Sequence, residues 1–125
     1  MSTLLIDSFA WLEILSGSER GKKAIEIMKD ADELYTSVLN LYEIRYRAEE
    51  ISDEEKALYI IKKIKKNCKI LDIDEQIALE GGRTKLQNRG IGAVDCLLLA
   101  TAKIKKLKIL SGDEHFNGLE NVISI

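Results

Sequence analysis

Proline is absent from this chain of 125 residues, histidine occurs once and cysteine twice. With His115 alone the chain cannot build a His-rich zinc site, and a Ser/His/Asp triad would have to use that one residue. Cys68 and Cys96 have no CxxC spacing, and Cys96 sits in an apolar run, so both read as reduced, packed thiols. Long hydrophobic runs are missing as well. None approaches the ~20 residues that span a bilayer, and the first apolar stretch meets Asp7 before it can serve as a signal-peptide core, which predicts a cytoplasmic protein. Neither charge dominates: 19 Lys and Arg against 21 Asp and Glu leave a net charge of −2, which excludes a globally basic nucleic-acid binder. Any polyanionic substrate must be met locally. Repeats, low-complexity segments and linker-like composition are also lacking, so residues 1–125 are expected to form one domain.

What is present suits a soluble core-forming protein, with 46% hydrophobic and 32% charged residues. Thr3 to Ile6 predicts a strand buried on both faces, followed by helices over Ser8 to Leu15 and about Glu19 to Ala31, the latter with Ile25 and Met28 inward. Glu33 to Thr36 predicts a second strand. Ser37 then caps a helix running through Val38, Leu41, Tyr42 and Arg45 to about Glu50. Ser52 and Glu55 form a capping-box pattern before a helix whose stripe is Leu58, Ile61 and Ile64. Lys69 to Ile73 is the third strand. Asp74 caps the next helix, in which Ile77, Leu79 and Leu86 pack and the Gly81-Gly82 pair weakens or bends the axis. After the turn at Arg89 to Gly92 comes a helix carrying Asp95, then strands at Lys108 to Leu110 and Val122 to Ile125. Short apolar strands separated by helices predict an α/β fold, a parallel sheet of four to five strands covered on both sides, with ligands beyond its carboxyl edge.

Four acids stand out because their neighbours are apolar. Asp7 ends Thr3-Leu4-Leu5-Ile6, Glu43 interrupts Val38-Leu39-Asn40-Leu41-Tyr42-Glu43-Ile44, Asp95 stands alone in Gly92 to Ala102, and Asp113 follows Ile109-Leu110-Ser111-Gly112. An ionised carboxylate in such surroundings needs a cation, a donor network or a proton to compensate it. Asp7 and Asp113 fall just past strand ends, while Glu43 and Asp95 lie near helix starts that can face the same crevice. Four converging carboxylates would repel one another without a divalent cation, and oxygen donors suit a hard one. Each acid alone also suits a plain structural role: Asp7 or Asp95 as a helix cap, Glu43 paired with Arg47 at i+4, Asp113 capping the segment after it.

Taken together, Asp7-Ser8-Phe9-Ala10-Trp11, Asn40-Leu41-Tyr42-Glu43-Ile44, Asp95-Cys96-Leu97-Leu98-Leu99-Ala100 and Ser111-Gly112-Asp113-Glu114-His115-Phe116 resemble the PIN domain, especially the VapC-like toxin ribonucleases. The resemblance runs through essentially the whole chain in order. It implies a three-layer α/β/α sandwich that cuts RNA with Mg²⁺ or Mn²⁺, works as a homodimer and is restrained by a cognate antitoxin. It also implies Asp7, Glu43, Asp95 and Asp113 as the catalytic, metal-holding acids, with Ser8 and Ser111 ordering them. Two positions depart from the family pattern: Phe9 stands where a small hydroxyl residue is common, and His115 where a second aspartate is.

Among these ligands Asp7 and Asp95 are the leading direct ones. Arg45, Arg47, Arg83 and Arg89 are candidate phosphate contacts, whereas the lysines at 62–66 and 103–108 read as solvated helix ends. Trp11, Tyr42 and Tyr46 read as packing residues, and Trp11, Leu12 and the helix after Ser52 are places for a dimer contact. A PIN-like module that binds RNA or protein without cutting is the alternative. Receiver and haloacid-phosphatase readings fit poorly: Asp72 and Lys108 do not match a phosphoacceptor arrangement, and Asp7 is followed by Ser8-Phe9 instead of an Asp-x-Asp motif.

Overall fold

Alternation along the first strand decides the layers. Leu4 and Ile6 point to one side of the sheet and Leu5 to the other, and each side buries its own cluster of apolar residues. The computed structural model describes residues 2–125. In chain order the elements are β1 (Thr3–Ile6), α1 (Ser8–Ser16), α2 (Glu19–Lys29), β2 (Glu33–Ser37), α3 (Val38–Ile51), α4 (Glu54–Asn67), β3 (Lys69–Leu71), α5 (Glu75–Gln87), α6 (Ala93–Lys105), β4 (Lys108–Ser111), a 3₁₀ turn (Glu114–Phe116) and β5 (Val122–Ser124). The five strands pair in parallel in the order β3-β2-β1-β4-β5. Helices α1 to α4 pack with Leu4, Ile6 and Leu110 on one face. On the other, α6 packs with Leu5, Ile109 and Phe116, and α5 lies against α6.

This order puts the functional crevice where it matters. From β1 the chain moves outward to β2 and β3, then crosses back to β4 on the opposite side of β1. The strand order therefore reverses between β1 and β4, and ligands in open parallel sheets bind at the carboxyl ends beside such a reversal.

Several expected elements are shifted, each for a local reason. Asp53, not Ser52, caps α4: Ser52 N–H still bonds the Ala48 carbonyl at the end of α3, leaving Asp53 Oδ1 to accept from Lys56 N–H at 2.7 Å. The inner stripe of α4 is Ala57, Ile60 and Ile64, while Leu58 is 49% exposed, because the small Ala57 side chain faces α3. On α2 the buried positions are Gly21 and Ala24, and Ile25 is turned outward. On α5, Ile77 packs but Leu79 and Leu86 are exposed. The Gly81-Gly82 pair does not break α5. Gly81 faces inward, where a Cβ would come within 2.6 Å of Leu97 Cδ2, so glycine lets α6 approach. β3 stops at Leu71 and β5 at Ser124. Trp11 is buried, its indole N–H donating to Thr36 Oγ1 at 2.8 Å, and is not a surface for a second copy. Tyr42 and Tyr46 are exposed and meet edge to face with centroids 5.5 Å apart. Both cysteines are free.

The tightest helix contact supplies a stability test. A Cβ at Gly21 would lie within 2.8 Å of three backbone atoms of α1: Glu13 O, Glu13 C and Ile14 Cα. Backbone cannot rotate aside as a side chain can. Gly21→Ala is expected to destabilise the fold by about 2–3 kcal/mol, lowering the thermal midpoint by about 10 °C. An unchanged midpoint in calorimetry would mean that α1 and α2 separate freely.

Candidate active site

Asp7 sits at the end of β1 because its own backbone still continues the sheet: its N–H donates to the Leu110 carbonyl at 3.1 Å. Its side chain caps α1, with Oδ1 accepting from Ser8 N–H at 2.8 Å, and is almost wholly buried. Asn40 Nδ2 donates to the same oxygen at 3.2 Å, and Ser111 Oγ donates to Oδ2 at 2.6 Å. A carboxylate offers four lone-pair sites, so Ser8, Asn40 and Ser111 leave Asp7 one, on Oδ2. Burial pushes the Asp7 carboxyl up to about 6; the Ser111 and Ser8 hydrogen bonds oppose that rise, and the charges of Asp95 and Glu43 add to it.

The other side chains are placed by the starts of elements. Ser37 ends β2 and caps α3 in a reciprocal box with Asn40, whose Oδ1 accepts from Ser37 N–H at 3.0 Å. That box turns the Asn40 amide toward Asp7. One turn further along α3, Glu43 Oε1 accepts from Ser8 Oγ at 2.9 Å, while Oε2 lies 3.9 Å from Arg47. The expected i+4 pair is therefore present but loose. Ser111, at the end of β4, also accepts from Asp113 N–H at 3.0 Å, and Asp113 caps the 3₁₀ turn by accepting from His115 N–H at 2.9 Å. A continuous chain of contacts thus runs from Glu43 through Ser8, Asp7 and Ser111 to Asp113.

Asp95 is different. It lies in the first turn of α6, which has no side-chain cap, and is half-buried. Among the described residues no donor hydrogen-bonds its carboxylate. Desolvation first, then the like charges of Asp113 and Glu43, push it up to about 6; His115 and Arg47 act in the opposite direction. Ligand atoms of Asp95, Asp113 and His115 all lie within 4.8 Å of one another. Two carboxylate oxygens and an imidazole nitrogen at that separation can hold a divalent cation, and Glu43 and Asp7 add charge near them. The four acids picked out by their apolar neighbours thus converge on the carboxyl edge of β1 and β4.

Phe9 and His115, the two departures from the family pattern, line one cleft of about 340 Å³ beside Asp113, with Arg20 and Arg47. A hollow of about 430 Å³ between α5, α6 and the segment before β5 is lined by none of the four acids. Asn40 and Arg20 were not singled out as functional from the sequence. Asn40 carried a signal: a buried-type position three residues after a capping serine, inside Val38-Leu39-Asn40-Leu41. Arg20 carried none, since it stands in a charged run.

The family model for the PIN domain matches residues 4–121. Among solved structures, VapC20 of Mycobacterium tuberculosis, a sarcin-ricin loop cleaving toxin, superposes with a TM-score of 0.82 at 12% identity over 98% of each chain. A chain of a toxin-antitoxin complex from Klebsiella pneumoniae gives 0.79 at 20% identity, covering 97% of this chain and 96% of that one. One of the DNA-bound VapBC structure from Salmonella typhimurium gives 0.74 at 20% identity, covering 100% and 98%. No curated protein matches the sequence significantly.

Proposed function

Because this chain belongs to the PIN domain family, a family of nucleases, we propose that it is a divalent-metal-dependent endoribonuclease, the toxin of a toxin-antitoxin pair. One observation carries the reading: Asp95 is a half-buried carboxylate among like charges with no donor to compensate it, while Asp7 beside it is held by three. Such an arrangement makes sense for a group whose partner is a cation. No helix among the described residues is long and apolar enough to cross a membrane; a cytoplasmic site of action is part of the proposed reading. Relatives of the same fold are toxins solved with their antitoxins, which supports a cognate antitoxin as partner; a homodimer is part of the same reading, carried from the family resemblance.

In this reading residues 1–125 work as one PIN domain, and Asp95, Asp113 and the free lone pair of Asp7 hold Mg²⁺ or Mn²⁺, with Glu43 beside them. When a divalent cation is held there, the chemistry it supplies is screening of the phosphodiester charge and activation of water near neutral pH. The chain's own part is positioning. Ser111 and Asn40 lock both oxygens of Asp7, Ser8 fixes Glu43 Oε1, and Ser111 sets the backbone of Asp113, so the acids face the crevice before any substrate arrives.

The test is incubation of the partner-free protein with a panel of structured RNAs in Mg²⁺, Mn²⁺ or chelator. Cleavage that requires the metal is expected. Metal binding by calorimetry without cleavage of any RNA would favour the silent binding module instead.

A further inference from the structure

A cluster of acids repels RNA, so a nuclease built on one needs cations placed where the phosphate backbone passes. Most basic side chains near the site are already engaged. Arg45 pairs with Glu49 at 2.5 Å and lies 3.8 Å from Glu54, and Lys85 donates to the carbonyls of Arg89 and Ile91. Two arginines line the cleft beside Asp113: Arg47, which lies 3.9 Å from Glu43 and donates to Tyr46 Oη at 3.4 Å, and Arg20, near the start of α2, which has no ion-pair partner among the described residues.

Arg20 is held there by a stack built from two other residues. Its guanidinium carbon lies 5.6 Å from the centroid of the Phe9 ring, within cation-π range. Phe9 in turn occupies space that only glycine leaves: a Cβ on Gly112 would come within 2.5 Å of Phe9 Cε1 and 2.9 Å of Cδ1. Gly112 joins Ser111 to Asp113, so the segment that carries the acid also seats the ring beneath the arginine. A planar guanidinium fixed on an aromatic face loses less freedom when it binds a phosphate than one in solvent does.

We propose that Arg20, supported by Phe9 over Gly112, binds a backbone phosphate of the RNA in the cleft beside Asp113, with Arg47 as the second cation of that cleft. The proposal rests on the ribonuclease reading for its substrate class. It makes Arg20 a substrate-positioning residue whose contact is equally strong before and during reaction, so its loss weakens binding more than turnover.

Arg20 is exposed, so Arg20→Ala leaves the fold intact. Expected for this variant are a KM for RNA raised about tenfold with kcat within about twofold of wild type. On an Asp95→Asn background, binding of a fluorescent RNA hairpin should show a salt slope smaller by about one. Phe9→Leu should reproduce part of the loss while Arg20 remains, and Arg20→Lys should keep the salt slope but recover KM incompletely. Cleavage by wild type with an unchanged KM and salt slope in Arg20→Ala would overturn the proposal and leave the nuclease reading standing. Absence of cleavage together with an Arg20-dependent salt slope would do the reverse. Absence of any hairpin binding would overturn the proposal as well.

Discussion

Asp95→Asn should reduce metal-dependent RNA cleavage by at least about a hundredfold, the scale seen when one preorganised charged group is lost from an active site, while circular dichroism shows an unchanged fold. The amide matches the carboxylate in volume, and the α6 turn that carries it needs no cap from this side chain. What disappears is one negative charge between Asp113 and Glu43. Without metal that charge is a liability. In chelator at neutral pH the variant is therefore expected to melt above wild type, and added Mg²⁺ or Mn²⁺ should raise its midpoint less than that of wild type. Full activity in Asp95→Asn would sink the assignment. Marked destabilisation in chelator would instead reveal a structural donor to Asp95.

Asp7 separates structure from charge in the opposite way. Asp7→Ala leaves Ser8 N–H, Asn40 Nδ2 and Ser111 Oγ facing a void in the protein interior, and is expected to cost about 3–5 kcal/mol. Asp7→Asn keeps an oxygen for Ser8 and Asn40 and should fold. The contrast with wild type then depends on pH. The folded carboxyl titrates at about 6 against an ordinary 3.8, so folding favours its protonated form. Its contribution to stability is fully present below about 3.8 and is lost as pH rises through about 6. Two units correspond to about 3 kcal/mol. Denaturation in chelator should therefore show the stability of Asp7→Asn minus that of wild type growing by up to about 3 kcal/mol between pH 4 and pH 7. A difference that stays flat across this window would mean that Asp7 is not strained by burial.

The order of elements and the gathering of the four acids at one sheet edge were legible because both follow from contrast along the chain. A carboxylate at the end of an apolar strand, or a serine before a helical stripe, is unusual enough to mark its place, as Asp7 and Ser37 do. Asp74 caps α5 as its position suggested, accepting from Ile77 N–H. What failed were choices between near-equal options. Ser52 and Asp53 are both good caps, and only the two-residue link between α3 and α4, in which Ser52 still closes α3, decides for Asp53. Ile60 and Ile61 allow two phases for α4, and the facing helix decides between them. Gly81 looked like a weakness because its purpose, contact with Leu97, lies on another helix. The same limit hid Arg20: nothing beside it in the chain shows that Phe9 and Gly112 are stacked beneath it.

The hydrogen bond from Ser111 to Asp7 joins residues 104 positions apart, and β1 waits for β4 to fill its second edge. During synthesis on a ribosome, the N-terminal strand and the helices of one face can gather first, but the acids cannot be set until the segment through Asp113 has emerged from the exit tunnel. A nascent chain carrying Asp7, Glu43 and Asp95 thus still lacks the Ser111 bond that fixes Asp7 and the acid that follows it. If the chain is the nuclease proposed above, the topology withholds its activity until β4 and the segment through Asp113 have joined the sheet.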